Sequence, residues 1–354
     1  MARRKDRPTS PLDARSQAIL RAVIDEYVAT AEPVGSQTLV ERYRLGVSSA
    51  TVRNILAELE AAGFLTHPHT SAGRIPTDAG YRLYVESLAP RLSVAPVEGL
   101  MIRHQFGQVE FASEQWFRLA AATLAGITHA AGLATPAKAR ACHLRHLDLV
   151  ATRTGVASLV VVLAEGAVKQ ELVRLDESYD QEELDDVARL LNAELGGRSA
   201  RQVANRLVAL RGEQDTPPLA LRVAERVDRI MRESDAAGVE DVFSDGLLNV
   251  MEAPEFSQSE KLRRVFAVLQ DRDYLSTLVR RLAGSNEVQV MIGAENEQLD
   301  MHEVSLIVAP YGQPGRAMGV VGVLGPRRMS YPQAIGTVRY VSGLMNELVE
   351  QLYK

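Results

Sequence analysis

In "LDARSQAILRAVIDEYVATA", residues 12–31, the apolar positions recur with helical spacing. Ile19, Leu20, Val23, Ile24, Tyr27 and Val28 fall at i, i+1, i+4, i+5, i+8 and i+9, one face of an amphipathic helix. Pro33 and Gly35 break the pattern, and Ser36 is placed to cap a short second helix carrying Leu39, Val40 and Tyr43. Gly46 makes a turn. Ser48 then caps a third helix, whose Val52, Ile55, Leu56 and Leu59 form one stripe, and Gly63 stops it. In "FLTHPHTSAGRIPTDAGYR" the helical period is lost. "FLTH" reads as a strand, "PHTSAG" as a turn, "RI" as the return strand ended by Pro76, and Thr77 or Asp78 starts a fourth helix.

Further along, "RLSVAPVEG" at 91–99 reads as a linker and the next thirty residues as largely helical. "HLRHLDLVAT" and "VASLVVVLAE" predict two strands paired across Thr154-Gly155, and "AVKQELVRL" a third. Residues 180–235 read as charged helices with a polar loop at "RGEQDTPP". "GLLNVM" at 246–251 is a short strand candidate, and 259–283 a long amphipathic helix. Three strands follow in "EVQVMIG", "HEVSLIVAPY" and "GRAMGVVGVLG", then a terminal helix over 333–352. Each set of three strands would have difficulty burying a core alone, which favours one α/β domain interrupted by an insertion over two separate sheets.

Composition narrows the class. With 46% hydrophobic and 24% charged residues, the 354-residue chain is an ordinary globular protein of two or three domains. The net charge of −5 argues against binding a polyanion by bulk charge, but its distribution is uneven. Residues 1–90 hold 11 Lys and Arg against 10 Asp and Glu, and the remainder 29 against 35, so the N-terminal part is better suited to nucleic acid. The single cysteine, Cys142, excludes an intrachain disulfide and a Cys-based zinc site. The first residues have no apolar core of a secretory signal, and the longest apolar run, "ASLVVVLA", is too short to span a bilayer. The expectation is a cytoplasmic protein without a membrane segment.

Three short helices and a strand-loop-strand outline a winged helix-turn-helix. Opposite its apolar stripe the third helix carries Ala50, Arg53, Asn54 and Ala57, flanked by Ser49 and Thr51. Small residues let a helix approach a major groove, and Arg and Asn have planar donor sets suited to guanine and adenine edges. Ser48 and Ser49 sit at the positive helix end, where a phosphate is favoured. In the wing, Arg74 is the charge placed to enter a neighbouring minor groove, and Thr70 and Ser71 are phosphate donors. The alternative is an ordinary surface helix that happens to carry one Arg and one Asn.

Other constellations are weaker. His67 and His69 share a strand face, but Pro68 intervenes and no third zinc ligand is close in sequence. Cys142, His146 and Asp148 share another face, with His143 opposite, as a metal or nucleophilic set or as unrelated residues on a solvated sheet. Gly319, Gly322 and Gly325 do not match the dinucleotide fingerprint and read as close-packing glycines. No cofactor and no catalytic set is predicted.

Three stretches carry a resemblance: "EPVGSQTLVERY", "VSSATVRNILAELEAAGFLTHPHTSAGRIPTDAGYRLYV" and "GRAMGVVGVLGPRRMSYPQAI". They resemble the heat-inducible transcription repressors of the HrcA family, along essentially the whole chain. The resemblance implies an α+β multidomain protein: an N-terminal winged helix-turn-helix and a GAF-like α/β domain interrupted by an inserted dimerisation domain. Laid on this chain, that gives a DNA-binding domain over 1–90 with a basic arm at 1–11, and a linker over 91–100. The GAF-like domain takes 101–178 and 257–354, and the insert 179–256. It further implies a homodimer, associated with the nucleoid, that binds an inverted-repeat operator (the CIRCE element) before groE- and dnaK-type operons. The GroEL chaperonin would be the partner that keeps it active. The family's DNA contacts carry over to Ser49, Thr51, Arg53, Asn54 and Arg74.

On that expectation Leu247, Leu248, Val250 and Phe256 in "DVFSDGLLNVMEAPEF" either join the dimer contact or cap the insert's own core. Arg3, Arg4, Lys5 and Arg7 either add phosphate attraction or are merely solvated. The competing function is a winged-helix regulator gated by a small molecule in the GAF-like domain.

Overall fold

The structure is a computed structural model. It describes residues 12–352 except 69–72, 89–93, 110–112, 140, 154, 165–166, 178, 237–241, 257–258, 272–273, 275–276, 279–280, 282–286 and 314–316. The basic arm, with Arg3, Arg4, Lys5 and Arg7, lies outside the described residues.

The N-terminal unit follows its apolar pattern. Helix α1 (Ala14–Thr30) buries Ile19, Leu20, Val23 and Ile24. Helix α2 (Ser36–Arg42) begins after Gly35 and buries Leu39. Helix α3 (Ser49–Ala61) buries Val52, Ile55, Leu56 and Leu59 against both. A two-residue antiparallel pair, β1 (Leu65–Thr66) with β2 (Ile75–Pro76), leads into α4 (Asp78–Leu88). Each fully buried Leu or Ile here contributes about 1.5–3 kcal/mol of hydrophobic stabilisation.

Helix α5 (Pro96–Gly107) takes up the end of the expected linker, and α6 (Ser113–Thr128) follows. Strands β3 (Ala131–Ala134) and β4 (Lys138–Ala139) enter a six-stranded sheet. The chain then leaves that sheet and returns to it at β8 (Phe243–Asp245), which pairs with β3. Strands β9 (Gln289–Ile292), β10 (Val304–Gln313) and β11 (Ala317–Pro326) complete the order β8-β3-β11-β10-β9, with β4 also on β11. The terminal helix α12 (Tyr331–Leu352) and α6 cover one face, where Ile307, Val321 and Val323 meet Phe117, Leu124, Tyr331 and Val338. The other face buries Leu306, Val308, Val320 and Leu324 beneath Val250, Phe256 and Met301.

Between the two visits to this sheet lies a second packed unit. Strands β5 (Leu144–Arg153), β6 (Val156–Leu163) and β7 (Val168–Arg174) form their own antiparallel sheet, β5-β6-β7. Helices α7 (Gln181–Leu195), α8 (Ala200–Gly212) and α9 (Pro218–Ala236) cover one face of it. The core is Leu144, Leu147, Leu149, Leu159 and Val161 against Leu184, Leu191, Val203, Val223 and Val227.

This corrects the single interrupted sheet expected from sequence. Three strands do bury a core here, because three amphipathic helices provide the second layer. The three strands therefore group with the helices of 181–236, and not with the six-stranded sheet to which 101–178 had assigned them. Residues 242–256 leave that unit. Val250, Ala253 and Phe256 pack on the six-stranded sheet, Leu247 lies against the same cluster, and Leu248 is exposed. "GLLNVM" is not a strand: Gly246, at φ +70°, starts a one-turn helix α10 (Leu247–Met251). The long helix expected over 259–283 is divided, with α11 (Ser259–Gln270) ending before Asp271.

The N-terminal unit is fastened to the six-stranded sheet through α4. Arg82 Nε donates to Glu295 Oε1 (2.8 Å) and Nη2 to the Val290 carbonyl (2.6 Å). Asp78 accepts the Ala294 N–H (3.0 Å) and pairs with Arg327 (3.3 Å). The Tyr81 and Tyr331 rings lie 5.5 Å apart at the same junction. Burial pushes both phenols above their ordinary range, and both stay neutral at physiological pH.

Candidate nucleic-acid interface

Helix α3 has the two faces its sequence requires. The apolar stripe is buried, while Ser48, Ala50, Arg53, Asn54 and Ala57 are exposed and Ser49 and Thr51 half-buried. Ser48 caps the helix: its Oγ accepts the Thr51 N–H (3.2 Å) and lies 3.0 Å from Thr51 Oγ1. Ser49 Oγ lies 3.1 Å from Ser36 Oγ, which ties the start of α3 to the start of α2. Among the described residues no hydrogen bond or ion pair engages the side chain of Arg53 or Asn54. Their donors stand open to solvent, one turn from the positive helix end.

The hairpin is framed by backbone geometry. Gly63, at φ +81°, closes α3 in a Schellman turn: the Gly63 N–H donates to Glu60 O and the Phe64 N–H to Leu59 O, both at 2.9 Å. Thr77 Oγ1 donates to Gly63 O (2.7 Å) and accepts the Gly80 N–H (3.2 Å), so one hydroxyl joins the end of α3 to the start of α4. On the return leg Arg74 and Val34 exchange two backbone hydrogen bonds of 2.8 Å. A Cβ at Gly73 would lie 2.6 Å from the backbone of Pro33 and Val34, so that leg passes directly over the α1–α2 connection. The segments "EPVGS" and "GRIPT" are thus two sides of one contact.

The side chain of Arg74 does not project from the hairpin. Its Nη2 sits 2.7 Å from Glu60 Oε2, its Nε is buried without a partner, and the side chain is only 26% exposed. Glu60 Oε1 binds His67 Nδ1 on the outgoing leg. Glu60 was not singled out from sequence. The available signal was a carboxylate in the last turn of a helix, an electrostatically unfavourable place that calls for cationic partners. Thr70, Ser71 and His69 lie outside the described residues.

The remaining candidates separate. Among the described residues no group of three or more His, Cys, Asp or Glu could hold a metal. Cys142 is buried, its Sγ 3.3 Å from the Met231 carbonyl oxygen, while His146 and Asp148 pair with each other at 3.1 Å on an exposed edge. Strand β11 approaches β10 closely at its glycines: a Cβ at Gly322 would lie 2.4 Å from Ile307 O. No helix among the described residues is long and apolar enough to cross a membrane.

A polar helix face with unengaged Arg and Asn, beside an anchored hairpin and joined to a larger α/β body, suits a protein that regulates transcription by binding DNA. The comparisons agree on that class. The family model for the HrcA protein C terminal domain matches residues 114–335. The heat-inducible transcription repressor HrcA of Roseiflexus castenholzii is 42% identical over 349 residues, covering 98% of this chain and 96% of that one. The repressor of the same name from Chloroflexus aurantiacus is 42% identical over 357 residues with the same coverage. That of Thermomicrobium roseum is 39% identical over 342 residues, 96% of each chain. A solved structure titled as a hypothetical protein shares the fold, with a TM-score of 0.64 and 24% identity over 96% of this chain and 99% of that one. The chain belongs to the HrcA family, whose members are heat-inducible transcription repressors and not enzymes.

Proposed function

We propose that this chain represses heat-shock operons as a homodimer bound to an inverted-repeat operator, with residues 12–88 acting as a winged helix-turn-helix. In this reading α3 enters the major groove. Arg53 and Asn54 meet base edges, and Ser48, Ser49 and Thr51 position the helix on phosphates. The wing, with Thr70 and Ser71, lies along the adjacent backbone. The observation that carries the reading is the open donor set of Arg53 and Asn54 on a helix whose opposite face is fully packed.

An inverted repeat calls for a two-fold protein. The unit of β5–β7 and α7–α9, inserted between β4 and β8, has a face suited to provide it. Val150, Val168 and Leu172 are exposed on the side of the sheet away from the helices, and the pairing Val150↔Ser158↔Leu172 sets them on the same side as Val160 and Val162. A second copy stacked there would cover an otherwise wet apolar sheet face. The GroEL-type chaperonin enters as a helper that refolds a repressor of marginal stability, so that unfolded clients of heat shock compete for it and transcription rises.

A gel shift on an inverted-repeat operator tests the reading. The wild-type chain is expected to bind it specifically, and Arg53→Ala to lose about 1–3 kcal/mol of operator affinity. Equal binding by both would overturn the docking of α3. Full operator affinity held by the purified chain through heat-shock temperatures, without chaperonin, would overturn the helper.

A further inference from the structure

We infer that Glu60 is a positioning residue for the wing, and that Arg74 acts through it and not by entering a groove. The inference rests on the winged-helix reading above. One carboxylate on the last turn of α3 holds both legs of the hairpin: Oε1 binds His67 just after β1, and Oε2 binds Arg74 at 2.7 Å just before β2. With only two residues in each paired strand, the backbone ladder is too short to hold a hairpin rigid. The clamp supplies the missing constraint and fixes it to the helix that carries Arg53 and Asn54.

Three observations set Arg74 apart from a groove reader. Its backbone is pinned to Val34 by two hydrogen bonds, and the preceding Gly73 packs against the Pro33 backbone with no room for a side chain. Its Nε is buried, and the side chain is largely covered, whereas Arg53 is exposed and unengaged. Leaving Glu60 would also expose an unpaired carboxylate close to a phosphate backbone, where like charge repels it. Held in place, Arg74 neutralises Glu60 and allows the wing to approach a polyanion. An acid at the negative end of a helix is locally unfavourable, and here the Arg74 guanidinium offsets it while the His67 ring takes its other oxygen.

The test compares wild type, Glu60→Gln, Arg74→Ala and the exchanged pair Glu60→Arg with Arg74→Glu. Operator affinity is measured across a salt series, and amide hydrogen exchange over residues 64–68 and 73–77. Glu60→Gln and Arg74→Ala should each bind roughly ten-fold more weakly with the salt slope of the wild type, because no phosphate contact is lost. Both should speed exchange in the hairpin and leave the centre of α3 unchanged. The exchanged pair should recover most of the affinity and protection. A slope reduced by about one in Arg74→Ala, with no recovery in the exchanged pair, would show Arg74 touching DNA itself and overturn the inference. Unchanged hairpin exchange in Glu60→Gln would overturn it as well. Should the wild type fail to bind the operator, the DNA reading falls by itself, and the exchange measurement still decides the clamp.

Discussion

The two larger sheets of this molecule are covered differently. Eight consecutive residues of β10, Val304 to Tyr311, are buried, with helices on one side and the α10–α11 region on the other. The β5–β7 sheet has helices on one face only, and its other face exposes Val168 at 61% and Leu172 at 58%. The first sheet holds the protomer together. The second leaves Val150, Val168 and Leu172 exposed, beside His146, Asp148 and Gln170, on the face proposed above to receive a second copy.

Substitutions on the two faces should therefore fail in different ways. Leu306→Asp puts a carboxylate in a fully buried position of β10 and should cost more than about 4 kcal/mol, leaving little folded protein in a urea titration. On the open face, Leu172→Asp should change protomer stability by less than about 0.5 kcal/mol. If the proposed dimer forms on this face, the substitution should nonetheless convert that dimer to monomer in sedimentation equilibrium and weaken binding to the full inverted repeat by roughly 10²-fold or more, since two tethered half-site contacts become independent. A stable monomer from Leu306→Asp, or an undisturbed dimer from Leu172→Asp, would erase the distinction. Arg53→Ala should leave both sheets and the dimer unchanged and lose about 1–3 kcal/mol on the operator, read by gel shift. Ser48→Ala removes the α3 cap and should cost about 1 kcal/mol in thermal unfolding.

The same contrast separates what was legible in sequence from what was not. Helices α1 to α4 were legible because their signals are local: a stripe at 3.6-residue period, a serine cap, a glycine at the αL position. The three strands β5–β7 were legible as strands for the same reason, with Gly155 turning the first hairpin. Sheet membership was not, because it depends on what covers a strand. Nothing within 144–174 says that its cover comes from α7–α9. Strand β3 was missed because "AGLA" is short, small and buried throughout, and so lacks any alternation. In the candidate site, Arg53 and Asn54 could be named from helix geometry alone. The tie between Arg74 and Glu60 could not, since it spans a turn whose length does not fix the direction of a side chain.

The return of the chain to its first sheet has a consequence for synthesis. Strand β3 pairs with β11 at Ala134↔Val321, and with β8 at Ala134↔Phe243. Both partners lie beyond the whole of the second unit. A ribosome adding roughly 5–20 residues per second leaves about 10–40 s between the appearance of β3 and that of β11. Until β8 emerges, the apolar sides of α6 and β3 have no strand to close upon, and the central strand β11 comes later still, while the unit of 142–236 has its own core. Every new copy of the chain thus passes through a state with a finished middle and an open frame, a vulnerability that recurs with each round of translation and lengthens whenever translation slows.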